Sequence, residues 1–127
     1  MTEAVLDASA ILALVYAEPG AQLVREAARN SVMSSVNFAE TLSRVVDEGV
    51  RIDEIVDMLA RIGVTVASAD RLDAIAVGGL FEATRRTGVS LGDRFFLALV
   101  RSSGLPGLTA DRRLAELDLG LDIRLIR

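Results

Sequence analysis

The chain has 127 residues, 51% of them apolar, with a net charge of −4, only four Phe and one Tyr as aromatics, and no His, Cys or Lys, all 14 basic residues being Arg. That length and composition fit one globular domain, residues 1–127, with an aliphatic core. The missing residue types exclude the Ser-His-Asp triad, thiol nucleophiles, Schiff-base lysines, His or Cys zinc sites, disulfides and the P-loop lysine, leaving carboxylates, hydroxyls, Arg and whatever cation oxygen can hold.

In chain order, "EAVLD" (3–7) reads as a first strand and "SAILALVYAE" (9–18) as a buried helix stopped by Pro19-Gly20. Its apolar run, "AILALVYA" at 10–17, is far short of the ~20 residues of a membrane helix, so no membrane association is expected. The opening "MTEAVLD" carries an acid where a signal peptide carries basic residues, which points to a cytoplasmic protein. "AQLVREAARN" (21–30) has apolar residues at helical spacing, and "SVMSS" (31–35) is a short strand. After Asn37, "FAETLSRVVDEG" is a helix stopped by Gly49, and "RIDEIVDMLARIG" (51–63) a helix stopped by Gly63. "VTVAS" (64–68) is a strand, residues 70–87 form a helix weakened by Gly78-Gly79, and "GVSLG" (88–92) is a loop. "DRFFLALVRSSG" (93–104) is a helix buried on most sides, "GLTA" (107–110) a strand, "DRRLAEL" (111–117) a helix and "DIRLI" (122–126) a closing strand. Strands alternating with helices predict an α/β fold with a central parallel sheet of four to five short strands flanked by helices. No linker, repeat or low-complexity tract interrupts it.

Four acids fall where a strand or loop hands over to a helix: Asp7 in "VLDASA", Glu40 in "NFAE", Asp93 in "SLGDR" and Asp111 in "LTADRRL". In an open parallel sheet such junctions lie at the carboxyl ends of the strands, where ligands bind. Taken singly, each is explained by capping. Asn37 to Glu40 and Ser90 to Asp93 have capping-box spacing, and Asp7 and Asp111 can complement the helices they precede. Capping does not explain why all four junctions carry acids in a chain with so little other catalytic equipment. Converging carboxylates would repel unless they took up protons or a cation. Mg²⁺ or Mn²⁺ suits oxygen donors, and two such ions can activate water against a phosphodiester without His or Lys.

The order "VLDASA", "NFAE", "GVSLGDRFFLALV", "LTADRRLA" resembles the PIN-domain ribonucleases, specifically the VapC-type toxins of prokaryotic toxin-antitoxin pairs. The resemblance covers the whole chain and implies a PIN-like fold, with Asp7, Glu40, Asp93 and Asp111 as catalytic, metal-holding residues for Mg²⁺ or Mn²⁺. It implies Ser9 and Thr109 as supporting polar neighbours, and hydrolysis of RNA to 5′-phosphate and 3′-hydroxyl ends. A cognate antitoxin, part of which the first-helix region receives, and a homodimer follow from the same likeness. Arg94, Arg112 and Arg113 flank the acids and could contact phosphates, or could be solvated surface charges. Arg85 and Arg86 fit the end of a helix, and Tyr16 and Phe38 read as core rather than as base-stacking residues. The negative net charge argues against extended RNA binding but leaves a local site open.

Three other readings stand beside this one. An aspartyl phosphatase built on Asp7 would want a second acid two residues on, where Ser9 stands, and a Lys. A PIN-type nuclease of RNA processing would share the acids but not the antitoxin. A catalytically silent binding module would use all four acids as caps.

Overall fold

Two short runs of β-branched and aliphatic residues set the middle of the sheet, β1 (Val5–Leu6) and β2 (Ser31–Ser34), and β3 (Val64–Ala67), β4 (Gly107–Thr109) and β5 (Ile123–Leu125) complete it. The computed structural model describes residues 3–127, so Met1 and Thr2, the first positions of the acidic amino-terminal stretch, lie outside the described residues. All pairings are parallel, in the order β3-β2-β1-β4-β5. Parallel neighbours need crossovers, and among the described residues seven helices supply them: α1 (Ala8–Val15), α2 (Ala21–Ala28), α3 (Ser35–Asp47), α4 (Ile52–Ile62), α5 (Arg71–Thr84), α6 (Leu91–Ser103) and α7 (Arg112–Ala115).

Side-chain alternation along the strands divides the core in two. Leu6, Met33, Val64 and Leu108 pack with α1, α2 and α4 residues such as Ile11, Val24 and Leu59. Val5, Val32 and Ile123 pack with Leu80 of α5, Phe96 and Leu97 of α6 and Leu114 of α7. The sheet is therefore covered on both faces, as predicted for a parallel α/β fold. From β1 the chain steps outward through β2 to β3, then returns to lay β4 on the other side of β1. That reversal makes the crevice beyond the carboxyl ends of β1 and β4 a topological switch point, the place where such sheets bind ligands.

The element boundaries differ from the sequence expectation in instructive places. α3 starts at Ser35, before Asn37, because Ser34 caps it by accepting from the Val36 N–H. Glu40 consequently lies inside the helix and not at its start. α5 runs unbroken through Gly78-Gly79, which cost it about 1 kcal/mol each relative to Ala, because Val77, Leu80 and Thr84 on its inner face are buried. Tyr16 is the cap residue ending α1 and is 37% exposed rather than buried, whereas Phe38 packs against the core as expected. Among the described residues no helix is long and apolar enough to cross a membrane.

Candidate active site

Asp7 follows β1 directly and caps α1: its Oδ1 accepts from the Ala10 N–H (2.9 Å) and the Ser9 hydroxyl (2.6 Å). Across the switch point, Thr109 at the end of β4 donates its hydroxyl to Asp7 Oδ2 (2.5 Å). Ser9 Oγ accepts from the Ala110 N–H and Thr109 Oγ1 from the Asp111 N–H, so the two hydroxyls expected to be supporting residues lock the end of β1 to the end of β4. Asp7 is only 5% exposed. Burial pushes its carboxyl up from 3.8 to about 6, against the pull of the bonds from Ser9, Thr109 and Ala10, and the negative charge of Asp93 adds to the rise. No cationic side chain bonds to it among the described residues.

Asp93 stands in the first turn of α6 in a complete capping box: it accepts from the Ser90 N–H (2.8 Å) while its own N–H donates to Ser90 Oγ (3.1 Å). The apolar stretch after it, with Phe96 and Leu97 fully buried, fixes the helix that carries it. Asp111 caps α7 by accepting from the Arg113 N–H, and the Arg113 guanidinium grips both its oxygens (3.1 and 2.7 Å). That hydrogen bonding holds the Asp111 carboxyl below the usual range. Arg113 also donates to the Gly88 carbonyl and feels the charge of Asp93, which ties α7 to the loop before α6.

Glu40 caps nothing. One turn back on α3, the Asn37 amide donates to Glu40 Oε1 (2.8 Å) and to the carbonyl of Gly92 (3.0 Å), the residue before Asp93. The Glu40 carboxylate lies so close over Gly92 that a Cβ there would overlap it. Each acid is thus linked to another: Asp7 to Asp111 through Thr109, Asp7 to Asp93 by charge, and Glu40 to the turn bearing Asp93. Among the candidate phosphate contacts, Arg112 is exposed on α7 and Arg113 is engaged by Asp111. Arg94 turns to α5, donating from Nε to Thr84 and lying 4.9 Å over the Phe81 ring, so its first role is to pack α6 on α5.

The donor set is all oxygen, and its centre is a desolvated carboxylate without a cation, a combination that fits a hard divalent metal ion. Among the described residues no three acids are gathered into a ready-made metal cage. Asp93 turns to its own helix start, and Asp111 to its own and to Arg113. Beside Glu40 an open groove of 810 Å³ runs between α1 and α3, lined by Ala8, Leu12, Val36, Ala39 and Arg44 among others.

A family model described as PIN domain matches residues 4–119. None of the curated proteins matches the chain in sequence. Among solved structures, a toxin-antitoxin complex from Klebsiella pneumoniae is similar with a TM-score of 0.76 at 14% identity, over 98% of each chain. DNA-bound VapBC from Salmonella typhimurium gives 0.74 at 17% identity over 100% of each chain. VapBC2 from Rickettsia felis, bound to a promoter DNA fragment, gives 0.76 at 12% identity over 98% of each chain. At such identities the likeness is one of fold.

Proposed function

The chain belongs to the PIN-domain family, and from that premise we propose that it is a Mg²⁺- or Mn²⁺-dependent endoribonuclease of the VapC toxin type, restrained in the cytoplasm by a cognate antitoxin. The observation that carries the reading is Asp7, a carboxylate buried at the switch point between β1 and β4 with three donors, a neighbouring acid and, among the described residues, no cation bonded to it. Its hydrogen bonds cap α1 and join β1 to β4 but do not offset its burial, and a bound cation would favour the charged form.

In this reading Asp7 and Asp93 are the principal metal ligands, Glu40 acts directly or through water, and Asp111 completes a second metal position or supports from outside. Bound metal supplies an activated water and charge stabilisation at the leaving oxygen of an RNA phosphodiester. Ser9 and Thr109 keep both oxygens of Asp7 oriented by donating to them, so its ligand geometry is set before metal arrives. Arg112, exposed beside Asp111, is placed to take a neighbouring phosphate, and Arg113 can join it where Asp111 releases it. The apolar stretch of the α1–α3 groove, ending at Glu40, suits an antitoxin segment. A homodimer fits the outward face of α5, where Leu72 and Ile75 are exposed beside Gly78 and Gly79, whose added Cβ atoms would meet nothing.

A silent binding module is favoured by one observation, that Asp7, Asp93 and Asp111 do cap helices. Glu40, which caps nothing, and the burial of Asp7 weigh against it. The test is cleavage of RNA by the purified chain with Mn²⁺ or Mg²⁺, repeated with EDTA and with Asp93→Asn. Metal-dependent cleavage leaving 5′-phosphates, lost in both controls, is expected; cleavage that survives either control overturns the mechanism.

A further inference from the structure

Asn37 is 1% exposed, sits inside α3 and spends its amide on neither backbone ladder nor cap. Both amide hydrogens face acceptors, Glu40 Oε1 at 2.8 Å and the Gly92 carbonyl at 3.0 Å, and this fixes which end of the amide is nitrogen. Among the described residues its Oδ1 is left buried without a partner. An unpartnered buried carbonyl costs free energy, so folding alone favours an apolar side chain here. Gly92 poses the same question from the other side: in the first turn of α6, Ala would be the better helix former, yet its Cβ would collide with the Glu40 carboxylate.

Both costs have one beneficiary. We propose that Asn37 and Gly92 together position Glu40, the amide holding its carboxylate and the missing Cβ admitting it against the turn that carries Asp93. The inference rests on the metal-nuclease reading and deepens it: Asn37 is a positioning residue that acts through Glu40 and touches neither metal nor RNA. One amide spans α3 and the start of α6, so the spacing between Glu40 and Asp93 is set by a side chain that neither helix needs for its own folding. Residues that orient a metal ligand from outside the coordination sphere typically affect metal affinity about 10–100-fold.

The test measures Mn²⁺ binding by calorimetric titration of the whole chain, using Asn37→Ala, Gly92→Ala, Glu40→Gln and the double variant Asn37→Ala/Glu40→Gln. Thr41→Val is the structural control, because the Thr41 hydroxyl is fully buried and bonded to the Asn37 main-chain oxygen. Asn37→Ala and Gly92→Ala are each expected to weaken Mn²⁺ binding about tenfold or more. Asn37→Ala should add nothing once Glu40 is Gln, and Thr41→Val should lower the melting temperature while leaving Mn²⁺ affinity unchanged. Unchanged affinity in folded Asn37→Ala or Gly92→Ala overturns the proposal, as does a full additional loss in the double variant or an equal loss in Thr41→Val. Should Asn37→Ala fail to fold, Gly92→Ala decides, since it keeps the amide and suits a helix. If the unaltered chain binds no Mn²⁺, the metal-site reading itself falls, a result distinct from failure of the variants.

Discussion

Replacing Asp7 with Asn should make the metal-free protein more stable while abolishing RNA cleavage. The Asp7 carboxyl is raised from 3.8 to about 6, first by burial and then by Asp93, in opposition to its hydrogen bonds. An acid with a folded pKa above its unfolded value stabilises the fold only while protonated: the contribution is complete below pH 3.8 and is lost as pH rises through about 6. With roughly 1.4 kcal/mol per unit, the charged form therefore costs about 3 kcal/mol at neutral pH. Asn avoids that cost and can still accept from Ala10 and Ser9, but it offers Thr109 no second acceptor, a loss of about 1 kcal/mol. A net gain of about 2 kcal/mol corresponds to roughly 5–10 °C in melting temperature for a domain of this size. Calorimetric unfolding in EDTA across the acid-to-neutral range measures it. The gap should be largest above pH 7, close through the titration of Asp7 and vanish or reverse below about pH 4, and Mn²⁺ should raise the melting temperature of the unaltered protein alone. An Asp7→Asn protein no more stable than the original at neutral pH, or a gap that ignores pH, would refute the reasoning.

Asp93→Asn should change folding by about 1 kcal/mol or less, since the Ser90 box can survive in part, while cleavage is lost; thermal melts and an RNA assay read both. Thr109→Val, at a fully buried site, should cost about 1–2 kcal/mol and push Asp7 still higher, visible as a carboxyl titration by NMR displaced further from the ordinary range. Arg113→Gln breaks an ion pair whose partners are 55% and 26% exposed, so stability should fall by no more than about 1 kcal/mol. The Asp111 carboxyl, held low by Arg113, should then titrate nearer its ordinary value, and Mn²⁺ affinity should rise if Asp111 binds metal.

The fold was legible because apolar runs and helical spacing change over cleanly: among the described residues five strands and seven helices come in the order that "EAVLD" through "DIRLI" predict, although α6 begins at Leu91, inside the expected 88–92 loop, because Ser90 caps it. The capping boxes were half legible. Ser90 to Asp93 is one, but Asn37 to Glu40 only shares its spacing, because Ser34 offers an earlier cap and "SVNFAE" then continues as helix. Spacing of three residues also brings two side chains together in a helix interior, and the pattern alone does not distinguish the two uses. Asp7, Asp93 and Asp111 could be read from their junctions, whereas Glu40 stands inside α3 and not at the helix start its spacing suggested. Asn37 as an anchor could not, since its second partner, Gly92, lies 55 residues away. Likewise Arg94 looks in sequence like a neighbour of Asp93, while its packing on Thr84 and Phe81 depends on how α5 lies against α6.

The coincidence of caps and candidate ligands has a physical cause. Carboxylates near one sheet edge repel, and a local source of positive potential lowers that cost. A helix N-terminus provides one without adding a side chain, through its unpaired N–H groups and the helix dipole. Asp7, Asp93 and Asp111 each stand at such an end. Glu40, at no helix start, is instead served by the Asn37 amide. Asp93 has room for both roles, cap and proposed ligand: Oδ2 accepts from the Ser90 N–H, and Oδ1 has no protein donor among the described residues. Capping thus offsets part of the charge of these acids without metal, while the burial of Asp7 is not fully offset, and it is there that the proposed metal would bind.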